Sequence, residues 1–198
     1  MKFLVPVLVI LVLFSVVCNF HFHFRERDKI DQTTYGLWSA LHSAVVSLDT
    51  ALIRYEQGEH QWAMQDFEGL HRELLNVHVI LISFNQSFSN QFFVHFADFN
   101  FLAQIISPQP IGGWTDISFD PVLLDGELSE AELLFLQRLR DDLMVLSGHF
   151  SRETASGATA RQGMSEREIR ELMGEFLDNW NWHLRNEYNW DSPFLLLE

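Results

Sequence analysis

The chain is short of cysteine, of lysine and of catalytic signatures. Its one cysteine, Cys18, rules out an intramolecular disulfide framework and any cysteine-based zinc site. Its only lysines are Lys2 and Lys29, and 13 basic residues face 27 acids for a formal net charge of −14. That balance argues against a nucleic-acid partner, because no basic surface is available to neutralise a row of phosphates. No Gly-x-Ser-x-Gly and no phosphate-binding glycine loop occurs. The acids Asp116, Asp120, Asp125 and Glu127 share one irregular stretch but lack EF-hand spacing, so they read as solvated. No catalytic residue and no cofactor is expected. At 198 residues there is room for one domain, two at most.

What the chain does have begins at once. Phe3 to Phe20 is eighteen residues without a charge. As a helix it would measure about 27 Å, close to the roughly 30 Å hydrocarbon core of a bilayer. Pro6 stands near its start, where a missing N–H matters least. Phe20, His21, Phe22, His23 and Phe24 then suit the interface, and Arg25 to Lys29 end the apolar stretch. A cleaved signal would want small residues before the cut, and Val16-Val17-Cys18 is a poor offer; a lipoprotein would not place Val17 before its cysteine. An uncleaved anchor in contact with membrane lipid through residues 3–20 fits best, with a cleaved secretory signal as the alternative. Positive charges are nearly balanced across the span, so orientation rests on its position at the N-terminus. The expectation is a single pass through the cell membrane with the body outside.

Beyond Lys29 nine arginines stand against 25 acids. Trp38, Leu41, Val45, Leu48, Leu52 and Tyr55 step by three and four, a heptad seam, and Gly58 follows as a breaker. Ala63, Phe67, Leu70, Leu74, Val77, Leu81, Phe84 and Phe88 repeat the pattern, so the two seams predict an antiparallel helical hairpin. The stripe then drifts through Phe92, Phe96 and Phe99. No acid, lysine or arginine lies between Glu73 and Asp98, yet ten amide, hydroxyl and imidazole side chains there argue against a second span. The three phenylalanines read as core, with a lipid or aromatic-ligand pocket as the alternative.

Prolines and glycines fill Ser107 to Leu128. Capping boxes at Ser129/Glu132 and Ser165/Glu168 open two further helices, seamed by Leu136, Leu139, Leu143, Leu146 and Phe150, and by Ile169, Met173, Phe176 and Trp180. Ser151 to Gly163 reads as a small-residue linker. The organisation expected is all-α. Residues 1–24 form the anchor, 25–36 a juxtamembrane linker, and 37–190 an up-and-down bundle of about four main helices with one irregular loop at 107–128. Residues 191–198 are a tail.

Glu68-Gly69-Leu70-His71 has the Glu-x-x-His spacing of carboxylate-bridged metal sites, but the partner motif those sites require is missing. Glu68 and His71 therefore read as a solvated flank of the seam and only a weak metal candidate. His183, three residues after Trp180, reads as a hydrogen-bonded core histidine. Trp114 and Phe119 in the long loop, and Trp182 and Trp190 near the C-terminus, are the candidate anchors for a protein partner. The function expected is a non-enzymatic, membrane-anchored accessory or assembly protein working through protein contacts. A ligand-binding or sensory bundle is the alternative, and a metal-dependent carboxylate enzyme ranks below both.

Overall fold

A computed structural model describes residues 4–88, 97–106, 127–155 and 157–186. The fold is all-α, with five helices among the described residues: α1 (Leu4–Glu56), α2 (His60–Phe88), α3 (Ala97–Ile106), α4 (Glu130–His149) and α5 (Glu166–Asn186). A small hairpin of β1 (Ser151–Thr154) and β2 (Gly157–Ala160) joins α4 to α5.

The 53-residue α1 runs unbroken through both the apolar segment and the first seam. Residues 25–36, expected as a linker, are helical throughout. From Leu11 to Phe24 every side chain is exposed. Burial begins around Ile30 and Thr34, whose hydroxyl donates to the Ile30 carbonyl within its own helix. The buried arc of α1 takes in Leu37, Ala40, Leu41, Ala44, Leu48, Ala51 and Leu52, while Trp38, Val45 and Tyr55 are only half-buried. The expected Leu41, Leu48 and Leu52 are thus in the core, and the arc widens toward Leu37, Ala44 and Ala51, each one residue before Trp38, Val45 and Leu52. Alanines occupy its alternate positions, and small side chains let neighbouring helices approach closely.

α1 ends in a Schellman arrangement. The Glu59 N–H donates to the Arg54 carbonyl at 2.9 Å and the Gly58 N–H to the Tyr55 carbonyl at 3.0 Å. Gly58 sits at φ 79°, a conformation that costs glycine nothing. The chain then reverses, and α2 lies antiparallel to α1: Arg54 pairs with Asp66 at 2.7 Å, Ser47 lies over Gly69, and Ile80 over Gly36. Every expected seam position of α2 from Ala63 to Phe84 is buried; the Phe88 side chain lies outside the described residues.

α4 runs antiparallel to α1. The Leu128 N–H just before it donates to the Tyr55 hydroxyl at 2.7 Å, and Arg140 stands 3.6 Å from Asp49. Both expected capping boxes form. Ser129 Oγ accepts from the Glu132 N–H at 3.3 Å and Ser165 Oγ from the Glu168 N–H at 3.2 Å, with each glutamate accepting the serine N–H in return. Those bonds, with the Arg161 guanidinium beside it, hold the Glu168 carboxyl below the usual carboxylate range.

α5 lies back along α4. Phe135 meets Trp180 edge to face with ring centroids 5.4 Å apart, and Phe99 of α3 stacks on Phe176, also at 5.4 Å. α2 and α4 consequently run in the same direction. One apolar core joins all five helices.

The segment expected as a linker, Ser151–Gly163, instead folds into the hairpin, paired from Ser151↔Ala160 to Thr154↔Gly157. Gly157 at φ 115° makes the tight reversal possible, and the Arg161 N–H donating to the Phe150 carbonyl at 2.8 Å closes its base. Its strands are exposed on both faces, so no alternation of apolar residues announces them. The following Gly163 N–H donates to Asp31 Oδ1 at 3.2 Å, tying this end of the body to α1 just beyond the apolar segment.

Candidate functional site

The face shared by α4 and α5 brings a guanidinium, a carboxylate and an imidazole together. Arg138 and Asp142 are one turn apart on α4, and His183 faces them from α5. Arg138 Nη2 donates to His183 Nε2 at 2.7 Å. A guanidinium has no lone pair to offer, so Nε2 must be the acceptor and the ring's proton sits on Nδ1. His183 is buried and hydrogen-bonded, in line with its reading as a core histidine. Burial pushes the Asp142 carboxyl above the usual carboxylate range, Arg138 and His183 pull it down, and Asp141 pushes it up again. Its Oδ2 is enclosed and has no hydrogen-bond partner.

Beside this cluster a groove of about 380 Å³ opens between the two helices. Val145, Leu146, Leu172 and Phe176 form its apolar surfaces, and Asp142, Glu175, Asn179 and His149 supply polar groups. Trp182 stands at the edge of the same face. It is 55% exposed, and its ring lies 5.0 Å from that of His183, edge on. Its neighbour Trp180 is buried, with an indole Nε1 that finds no acceptor. Leu134, Asp141 and Val145 are exposed along one stripe of α4, and Val145 borders the groove on the solvent side.

The expected site residues fall out unevenly. Trp182 is exposed as a contact residue must be. Trp114, Phe119 and Trp190 lie outside the described residues, as do Phe92 and Phe96 of the expected pocket. Phe99 is wholly buried and stacked on Phe176, which is a core position. Of the weak metal pair, Glu68 is exposed as a solvated flank should be, but His71 is buried. α2 packs against both α1 and α3, so its covered arc is wider than one seam and takes in the flank bearing His71. Burial holds the His71 imidazole below the usual histidine range, Glu68 pulling the other way, and its Nε2 has no partner. Among the described residues no group of three or more His, Cys, Asp or Glu side chains converges to hold a metal ion.

Asp142, His149 and Glu175 were not singled out from the sequence. Asp142 is one of several acids on α4, and only the approach of α5 gives it a role. The nearest sequence signal was the position of His183 on the seam. No protein-family model, curated protein or solved structure matches the chain. Function must be argued from the geometry alone.

Proposed function

We propose that this is a single-pass membrane protein whose helical body, outside the cell membrane, acts through protein contacts in an accessory or assembly role rather than by catalysis. The observation that carries the anchor is the environment of the first half of α1. Its large apolar side chains between Leu11 and Phe24 are 53–67% exposed on every side of the helix. A helix apolar all round belongs in a core or in lipid, and among the described residues no part of the body covers this one. Arg25 and Lys29 lie where lipid headgroups would meet the helix.

The contact reading rests on Trp182, a tryptophan held exposed on the α5 face that also borders an open groove, since an exposed tryptophan is a typical interface anchor. Phe99, packed in the core, lends no support to the ligand-pocket reading. The test is extraction of native membranes with carbonate, followed by purification in mild detergent and identification of what copurifies. A chain retained in the membrane pellet, with a stoichiometric protein companion that Trp182→Ala loses, supports the proposal. Release by carbonate would remove the anchor, and purification alone would remove the partner.

A further inference from the structure

We infer that a cleft where the body meets the apolar segment binds the headgroup of a zwitterionic, primary-amine phospholipid of the phosphatidylethanolamine class. This deepens the membrane reading above and rests on it. The cleft holds about 430 Å³ and lies between residues 22–32 of α1 and Ser87 near the end of α2. That volume is within the roughly 300–1,000 Å³ of small-ligand sites. Its position follows from the register of the two helices. Ser47 meets Gly69 and Gly36 meets Ile80, so each step along α1 toward the apolar segment is matched by an equal step along α2. The same register sets Ser87 opposite Lys29. α2 ends one residue later at Phe88, while among the described residues α1 goes on alone. The corner left there is the cleft.

That corner stands at headgroup level. From Phe20 to Arg25 is about 7.5 Å along the helix axis, and the polar layer of one leaflet is about 5–8 Å deep. Lys29 is a turn further on. Side chains on a helix lean toward its N-terminus, here toward the bilayer, which brings both cationic heads back to that layer. Phe22 is 61% exposed and lines the cleft on the side nearer the apolar segment, where the ester and upper acyl groups of a lipid would lie.

The lining selects the headgroup. Arg25 and Lys29, one turn apart, offer two cations to one phosphate. Glu26 and Asp28 line the same cleft, so a purely anionic headgroup would meet repulsion along with attraction. An ammonium carried beside the phosphate gives those carboxylates a partner. A primary amine brings three N–H donors to them, whereas a quaternary amine brings none. Gln32 and Ser87 add neutral hydrogen-bonding groups. Glu26 also stands 3.7 Å from the His23 imidazole, one turn nearer the apolar segment.

The test is native mass spectrometry of the full-length protein in detergent micelles, reading the apparent Kd of the first bound lipid. The probes are palmitoyl-oleoyl phosphatidylethanolamine, phosphatidylcholine and phosphatidylglycerol. The first should bind about tenfold more tightly than either of the others, the equivalent of one charge-assisted hydrogen bond. Arg25→Gln with Lys29→Gln should weaken it by about tenfold or more. Glu26→Gln with Asp28→Asn should raise phosphatidylglycerol to parity or above. Arg25, Asp28 and Lys29 are exposed, so the thermal midpoint should not move. Arg72→Gln, an exposed cation on α2, should change nothing. Equal binding of the three lipids overturns the inference, as does an unchanged order of preference after the Glu26 and Asp28 substitutions. Equal weakening by Arg72→Gln overturns it too, since charge would then be acting diffusely. Displacement of the lipid by an equal concentration of water-soluble glycerophosphoethanolamine would assign the cleft to a free phosphoester and overturn the lipid. Release of the chain by carbonate removes the membrane reading and the inference with it, whereas retention with equal lipid binding removes the inference alone.

Discussion

Residues 11–24 and residues 37–55 belong to one continuous helix, and both are rich in aliphatic and aromatic side chains. In the first stretch those side chains surround the helix and all are exposed; in the second most are gathered on one arc, with Leu37, Leu41 and Leu48 wholly buried and only Val46 and Ile53 exposed among the large ones. The amount of apolar surface does not separate the two stretches. Its angular distribution does, because a protein core can cover only one side of a helix that also faces water, whereas lipid covers every side. The absence of a break between them means that the axis of the apolar segment continues as an axis of the body.

The largest effect expected from this contrast comes from charging the first half. Val12→Arg with Val16→Arg places two cations near the middle of the apolar run, at a cost of about 2.5–3.5 kcal/mol each for insertion. The membrane-pelleted fraction should collapse. Unchanged pelleting would mean that the segment is not in hydrocarbon. Next comes the buried arc: Leu48→Ala should destabilise by about 2–5 kcal/mol in chemical denaturation, whereas Leu13→Ala should leave the body's stability unaltered. Leu74→Asp on α2 should likewise cost several kcal/mol, because it buries a carboxylate, against about 0.5 or less for Glu68→Ala. Similar losses at Leu74 and Glu68 would show that α2 is wrongly oriented.

A smaller effect tests the widened arc of α2. The folded protein holds His71 neutral, with its pKa below the ordinary 6.5, so the unfolded chain takes up the proton first. The resulting stability is full above pH 6.5 and is lost as pH falls from there through the lower folded value. His71→Leu should flatten the dependence of the melting temperature on pH between neutrality and the acid side. An unchanged slope would place the pH sensitivity elsewhere. The smallest expected effect on the fold is that of Trp182→Ala, within about 0.5 kcal/mol of the parent, because the ring is exposed. A larger loss would mean that Trp182 belongs to the core and that the contact surface lies elsewhere.

Legibility from sequence varied along the chain for definable reasons. The α2 seam could be read residue by residue, since each large apolar side chain recurs at helical spacing and points into one core. In α1 the sequence marks Leu41, Leu48 and Leu52 correctly but favours Trp38 and Val45 over Ala44 and Ala51, because alanines give a weaker hydrophobic signal, although the alanines are the ones buried. A single seam predicts a single partner and so makes His71 a solvated flank, whereas α2 packs against two helices, α1 and α3. The hairpin at Ser151–Ala160 escaped notice altogether. Its stability comes from backbone pairing and from a positive-φ glycine, neither of which leaves a periodic trace in side-chain polarity.

By itself, the sequence determined what depends on neighbours within about one helical turn or on a local count of apolar residues. That includes the capping boxes at Ser129/Glu132 and Ser165/Glu168, the stop at Gly58, the all-α character and an N-terminal segment long and apolar enough to span a membrane. The tertiary structure alone decided the α4–α5 face. Asp142 and Glu175 are 33 positions apart, and nothing within a turn of either residue selects the other. Their shared groove exists because Phe135 and Trp180 pack the two helices together along one line and leave a gap further on, where the side chains no longer fill the space between the helix axes.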